Sequence, residues 1–131
     1  MDPKLEQKLY DKYPEFFRQH SLSMQETCMC WGICVGEGWY HIVDTMAKKL
    51  TAYAKKHKIV LECTQLKEKF AILRCYTNVN DDAIDKIIGE AERASAVTCE
   101  VCGVPGTINK GPWYSVRCPV CRAKEAKQCK I

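Results

Sequence analysis

Residues 99–121 read CEVCGVPGTINKGPWYSVRCPVC and contain two Cys-x-x-Cys pairs with fifteen residues between them. The pairs are Cys99/Cys102 and Cys118/Cys121. Two residues between cysteines let a tight turn direct both thiolates to one point, and four thiolates complete the tetrahedral shell of a Zn²⁺ ion at about 2.3 Å. Gly103 follows the first pair, where the turn favours a residue that tolerates positive φ. The spacing therefore predicts one structural Zn²⁺ ion bound by these four cysteines.

The segment between the pairs predicts the shape of this metal module. Pro105-Gly106 and Gly111-Pro112 are turn signals, so a hairpin can bring the second pair opposite the first. Residues 122–130 predict a short helix, which gives a zinc ribbon or a treble-clef-like variant. A closed four-cysteine set leaves no open coordination position, so the metal is expected to be architectural. The alternatives are a redox site, which normally uses a single Cys-x-x-Cys pair, and a chance cluster of thiols.

A second group of thiols lies upstream. Cys28, Cys30 and Cys34, together with His41, offer the donors of a Cys₃His metal site. Their Cys-x-Cys-x₃-Cys spacing is unusual for zinc, and the apolar neighbours suit buried free thiols, so free thiols are the favoured interpretation. The other three cysteines are expected to be two core thiols and one exposed thiol: Cys63, Cys75 and Cys129.

Hydrophobic periodicity predicts three helices before the metal module. The first begins near Asp2-Pro3. The longest carries apolar residues at helical spacing from Trp39 to Tyr53, with lysines on its far side. The third is capped by Asn80 or Asp81, presents Ile84, Ile87, Ile88 and Ala91 to the core and ends by about Ala96.

Two segments between the second and third helices predict a β-hairpin. Ile59–Leu66 and Phe70–Thr77 are rich in β-branched and aromatic residues, and the charged Lys67-Glu68-Lys69 separates them. The glycine-rich stretch from Cys28 to Trp39 is expected to be irregular. The order of elements predicts an α+β fold, with helices packed on a short antiparallel sheet in residues 1–96 and the Cys₄ module in residues 97–131.

The positive charge of the chain belongs to the cysteine-rich end. The net charge is +4, and from residue 93 onwards seven Lys/Arg face two Glu. Such an excess favours an anionic partner, although a solvated surface is the simpler interpretation. The aromatic residues between the cysteine pairs, Trp113 and Tyr114, are expected to pack over the metal or against the main domain. The alternative is that they are exposed and stack on a base or bury in a partner. The candidate contact residues are Arg117, Arg122, Lys124, Lys127, Trp113 and Tyr114.

The titratable residues do not indicate catalysis. The three histidines are scattered through the first 57 residues, and no serine or cysteine nucleophile stands in a recognisable setting. We therefore expect a protein that is not an enzyme. The N-terminus has no apolar core or cleavage site, and no segment approaches the roughly 20 apolar residues of a membrane helix. A reducing cytoplasm is the expected location, with no membrane partner.

Four stretches carry a resemblance to a known group of proteins. They are Tyr13–Phe17, Met29–Trp39, Gln65–Arg74 and Ser95–Gly106, in that order along the chain. Together they resemble a group of small uncharacterised zinc-ribbon proteins encoded by bacteriophages and prophages. The resemblance implies an accessory role in the cytoplasm of an infected bacterial host, and it implies no mechanism.

Small phage accessory proteins commonly bind a host macromolecule, which gives the first functional expectation. We expect a protein that binds and modulates or inhibits a host machine, such as a defence or transcription complex. The alternative is a nucleic-acid-binding regulator that acts through the basic zinc ribbon, with an affinity that falls steeply with salt. Protein binding is ranked first because the basic excess is modest.

Overall fold

The computed structural model describes residues 1–128, with side chains described as far as Ala126. Four α-helices and five β-strands follow one another, with short 3-10 turns between some of them. The elements in chain order are α1 (Pro3–Lys12), β1 (Ile33–Cys34), α2 (Tyr40–His57), β2 (Cys63–Lys69), β3 (Ile72–Thr77), α3 (Asp82–Ser95), β4 (Thr107–Lys110), β5 (Tyr114–Arg117) and α4 (Pro119–Gln128). The predicted α+β class is confirmed.

The three predicted helices of residues 1–96 form where the periodicity places them. Helix α1 begins at Pro3, because proline suits the first turn of a helix. Helix α2 buries Val43, Met46 and Leu50 on one stripe, and a left-handed Lys58 ends it. Helix α3 is capped by Asp81, whose carboxylate accepts a hydrogen bond of 2.8 Å from the Ile84 amide. The helices enclose a single apolar core with one face of the sheet.

The sheet contains a strand that the sequence did not predict. Strands β2 and β3 form the expected antiparallel hairpin, but β1 pairs with β2 in the parallel direction. The pairing joins Ile33 to Leu66 and Cys34 to Lys67. Part of the glycine-rich stretch is therefore regular, because the neighbouring strand supplies hydrogen-bond partners that local sequence cannot reveal.

The turn of the hairpin differs from the prediction. Lys67-Glu68-Lys69 belongs to β2, and the loop is the two-residue Phe70-Ala71. Both residues have positive φ, 53° and 71°, which matches the twist that two-residue hairpin loops require. Residues before Cys63 lie outside the strand, so the first predicted strand is displaced towards the C-terminus.

The C-terminal part is a hairpin followed by a helix, as predicted. Strands β4 and β5 pair antiparallel, and α4 begins at Pro119, before the predicted start at residue 122. Val116 of β5 is fully buried in the same core as the helices of residues 1–96. Cys129 and Lys130 lie outside the described residues. Among the helices of residues 1–128, none combines the length and apolar character needed to cross a membrane.

Candidate metal centre

The first cysteine pair lies in a tight turn that follows α3. Gly103, at φ 83°, donates its N–H to the Cys99 carbonyl at 2.9 Å. The Cys99 N–H donates to the Val104 carbonyl at 2.8 Å, which closes the turn from the other side. Cys99 is fully buried and Cys102 is exposed. The turn thus holds two thiols on one side of the backbone, as the Cys-x-x-Cys-Gly sequence predicts.

The second pair is built into the N-terminus of α4. Cys118 precedes the helix, Pro119 occupies its first turn, and the Cys121 N–H points at the Cys118 Sγ at 3.4 Å. The positive end of a helix stabilises a thiolate at this position. Both thiols are buried, with exposed fractions of 3% and 8%. The start of α4 therefore fixes the positions of both thiols of the second candidate pair.

The fold brings all four predicted ligands together. The Sγ atoms of Cys99, Cys102, Cys118 and Cys121 lie within 4.8 Å of one another, and those of Cys102 and Cys118 are 3.6 Å apart. Four sulfurs around a tetrahedral ion at about 2.3 Å are separated by roughly 3.8 Å. The group can therefore hold a metal ion with small side-chain adjustments. Within residues 1–128 it is the one group of three or more histidine, cysteine or acidic side chains that meets this proximity.

The surroundings of these thiols shift their pKa values in opposite directions. Burial opposes ionisation of Cys99, but N–H groups of Cys102, Cys118 and Val101 outweigh it and lower its pKa to about 6. The hydrogen bond between the Cys121 and Cys118 thiols and the burial of the site raise the pKa of Cys121 to about 12. Four thiolates in this space therefore require a cation, which a soft divalent ion would supply.

The glycine-rich segment supports the first cysteine pair. The Gly38 N–H donates to the Glu100 carbonyl at 2.7 Å, and the Gly36 N–H donates to the Glu100 carboxylate at 2.9 Å. A Cβ atom on Gly38 would collide with the Cys99 carbonyl oxygen, and one on Gly36 would collide with that of Glu100. Glycine at these two positions therefore lets the backbone of the glycine-rich stretch lie directly against the turn that carries Cys99 and Cys102.

Two of the predicted basic contact residues are engaged inside the module. The Arg117 guanidinium lies 2.6 Å from Glu125 and 3.5 Å from Glu100, and its side chain is only 18% exposed. Arg122 donates to the Thr107 carbonyl at 2.9 Å. Lys124 is exposed on α4. The Lys127 side chain lies outside the described part of the chain.

The predicted aromatic residues stand at the tip of the β4–β5 hairpin, beside a residue that sequence reasoning did not select. Trp113 is 85% exposed and Tyr114 is 44% exposed, so the expectation that these rings pack over the metal or against the main domain is wrong. Phe70, in the turn of the β2–β3 hairpin, is 65% exposed and packs edge-to-face on Tyr114 with ring centroids 6.1 Å apart. We call Phe70, Trp113 and Tyr114 the aromatic surface. Phe70 joins it through a long-range contact that leaves no local signal.

The candidate second metal site, formed by Cys28, Cys30, Cys34 and His41, does not assemble in the described part of the chain. Cys28 and Cys34 are exposed and Cys30 is half-buried, so the expectation that these thiols are buried is wrong. His41 is exposed on α2. The Cys34 thiol donates to the Trp31 carbonyl at 3.3 Å. Within residues 1–128, these side chains do not converge on one point. Cys63 and Cys75 are buried, as predicted, with their Sγ atoms 3.9 Å apart.

No protein-family model, curated protein or solved structure matches the chain.

Proposed function

We propose that the chain is a non-enzymatic, protein-binding module in which one structural Zn²⁺ ion holds the aromatic surface in place. The bound partner would be a protein of a bacterial host machine, and the chain a phage accessory protein that modulates or inhibits it. The bacterial and phage context rests on the resemblance of the four sequence stretches. Zinc is the proposed ion because a tetrahedral set of four thiolates suits Zn²⁺ better than harder cations.

The 85% exposure of Trp113 is the observation that carries the proposal. An exposed tryptophan at a hairpin tip leaves a large apolar area in water, which is unfavourable unless a partner covers it. Phe70 and Tyr114 extend the apolar area beside it. Exposed aromatic groups on a rigid support are typical of the few residues that dominate binding at protein interfaces.

The support is rigid for identifiable reasons. Tyr114 is the first residue of β5, and Val116 in the same strand is fully buried in the core. The Val116 carbonyl accepts a hydrogen bond of 3.1 Å from the Glu100 N–H. Cys118, a candidate metal ligand, lies two residues after Val116. A metal ion at the four thiols would therefore fix both ends of the hairpin and limit the entropy lost when a partner binds.

A capture experiment from nuclease-treated bacterial lysate tests this proposal. We expect the tagged wild-type protein to retain one defined host protein at high salt, because apolar contacts are not weakened by screening. Trp113→Ala should weaken the complex by about 30-fold, the typical cost of losing a dominant interface residue. Trp31→Ala is the matched control, since Trp31 is also exposed but lies on the glycine-rich segment. Equal capture by wild type and Trp113→Ala would contradict the proposal.

Single-stranded nucleic acid is the second candidate for the same surface. Lys69 places its ammonium 5.8 Å from the Phe70 ring centroid, and the exposed Lys110 pairs with Tyr114 in the hairpin. Lysines beside aromatic rings are typical of proteins that stack bases and hold phosphates. This candidate ranks second because Arg117 and Arg122 are engaged internally. Loss of all captured material after nuclease treatment, together with salt-sensitive oligonucleotide binding, would favour it.

A further inference from the structure

A groove separate from the metal centre runs along the C-terminal half of α2. Residues 12–18 form one wall, α2 forms the second, and residues 59–62 form the third. Its volume is about 760 Å³, which lies in the range of small-molecule sites. Neither the cysteine module nor the aromatic surface contributes to it.

The lining of the groove is mainly apolar. Phe16, Ala54, Ile59 and Leu61 contribute to it, and Val60 at its edge is 75% exposed. A ligand with an apolar body would remove this surface from water.

Most charges at the groove are neutralised within the protein. Lys12 and the Tyr13 hydroxyl both bond the Asp44 carboxylate at 2.7 Å. Arg18 forms a two-point ion pair with Glu62. These four ionic groups therefore have partners before any ligand arrives.

Two polar side chains on α2, one helical turn apart, have no partner of this kind. The Thr51 Oγ1 is enclosed and has no hydrogen-bond partner within residues 1–128. A helical threonine usually satisfies this oxygen on a carbonyl of the preceding turn, and it has two accessible side-chain rotamers. Lys55 lies four residues later on the same helix face, is exposed, and forms no ion pair in the described part of the chain. Glu15, the remaining ionic residue of the lining, is exposed on the opposite wall.

We infer that this groove binds a small apolar molecule that carries one carboxylate. The carboxylate pairs with the Lys55 ammonium and accepts from the Thr51 hydroxyl after rotation about its Cα–Cβ bond. The apolar body lies along Ile59, Val60 and Leu61. A charge-assisted hydrogen bond beside an ammonium selects an anion, and the unpartnered hydroxyl gains the partner that it lacks in the free protein.

Titration of the zinc-loaded protein with decanoate below its micelle concentration tests the inference by amide chemical-shift mapping. We expect saturable shifts at Thr51, Lys55, Ile59 and Val60, and at least about tenfold weaker binding of 1-decanol, which lacks the charge. Thr51→Val and Lys55→Gln should each weaken decanoate by about tenfold. Lys48→Gln, an exposed position outside the groove, is the matched control.

Thr51→Val also separates loss of binding from loss of folding. The change keeps the side-chain shape and removes an unsatisfied hydroxyl, so its melting temperature should equal or exceed that of the wild type. Decanoate shifts that do not saturate, or that fall outside the groove, would overturn the inference. Unchanged affinity in both Thr51→Val and Lys55→Gln would also overturn it. None of these outcomes bears on the partner proposed for the aromatic surface.

Discussion

Gly38 lies in close backbone contact with the turn that carries the first cysteine pair. Its backbone bonds Glu100, and a side chain there would meet the Cys99 carbonyl and the Gly103 amide. We expect Gly38→Ala to destabilise the fold by about 1–3 kcal/mol, the usual cost of overpacking, and to weaken metal retention. Thermal unfolding and competition with a zinc chelator measure the two effects.

Gly111 provides the matched control for this substitution. A Cβ atom added there meets only the Asn109 side chain, at 3.6 Å, and its φ is not in the left-handed region. Gly111→Ala should leave stability unchanged or raise it by up to about 1 kcal/mol, because it restricts the unfolded chain. Equal effects of the two alanine substitutions would show that Gly38 has no special packing role.

Glu62 makes the stability of the fold depend on pH. Its carboxylate accepts from Arg18, at 2.9 Å for one of the two bonds, and from Gln19 at 3.0 Å. The Arg18 hydrogen bonds hold the pKa of Glu62 below its usual value of 4.5, against the effect of burial. The contribution is therefore complete above pH 4.5 and is lost as the pH falls through the lower folded pKa.

Glu62→Gln tests this dependence directly. We expect the variant to melt about 5 °C below the wild type at pH 7, because two hydrogen bonds to a charged group are weakened. The difference should shrink at pH 3, where the wild-type carboxylate is also becoming neutral. Glu37→Gln, at an exposed glutamate, should melt with the wild type at both values. A constant difference between pH 7 and pH 3 would contradict the assignment.

At the scale of elements, α3 depends on its N-cap residue, Asp81. Asp81 accepts from the Ile84 amide at 2.8 Å and from the Tyr53 hydroxyl at 2.6 Å, so one carboxylate caps α3 and ties it to α2. Asp81→Ala should lower the melting temperature by roughly 5 °C, and Asp81→Asn by much less, since asparagine also caps helices. Asp82→Ala, in the first turn, is the control. Similar losses for Asp81→Ala and Asp82→Ala would argue against a capping role.

The elements that sequence predicts correctly have local signals. The apolar stripe of α2 and the cap of α3 each lie within one contiguous segment, so periodicity and residue type are sufficient. The Phe70-Ala71 turn has no local signal, because neither residue favours positive φ. Its contacts are tertiary: Ala71 is fully buried, and the Phe70 ring packs on Tyr114. Strand β1 was missed because its hydrogen bonds are with a strand about thirty residues later.

For the whole molecule, the metal module and the rest of the chain share contacts that metal loss should disturb. The fully buried Trp39 donates its indole N–H to the carbonyl of Thr98 at 2.9 Å, next to the candidate ligand Cys99. We expect chelation to shift the Trp39 indole N–H resonance and lower the protection of α2, because metal binding is linked to folding of its ligands. An unchanged Trp39 resonance in the metal-free protein would show that residues 1–96 are independent of the module.

The candidate site was predictable to different degrees. The four cysteines could be identified from spacing alone, since a ligand set repeats a fixed local pattern. The sequence could not show that Arg117 is paired inside the module, because Glu100 and Glu125 come close to it only in the folded chain. The groove beside Thr51 and Lys55 was likewise not apparent, because its three walls come from separate segments.

We propose that Cys99, Cys102, Cys118 and Cys121 bind one Zn²⁺ ion that holds the aromatic surface in place. Metal analysis of protein purified under reducing conditions tests it most directly. We predict about one equivalent of zinc per chain in the wild type and in Cys34→Ser, since structural sites of this kind hold zinc tightly. Cys99→Ser combined with Cys121→Ser should retain almost none. Less than about half an equivalent in the wild type, or full retention in the double variant, would contradict the claim.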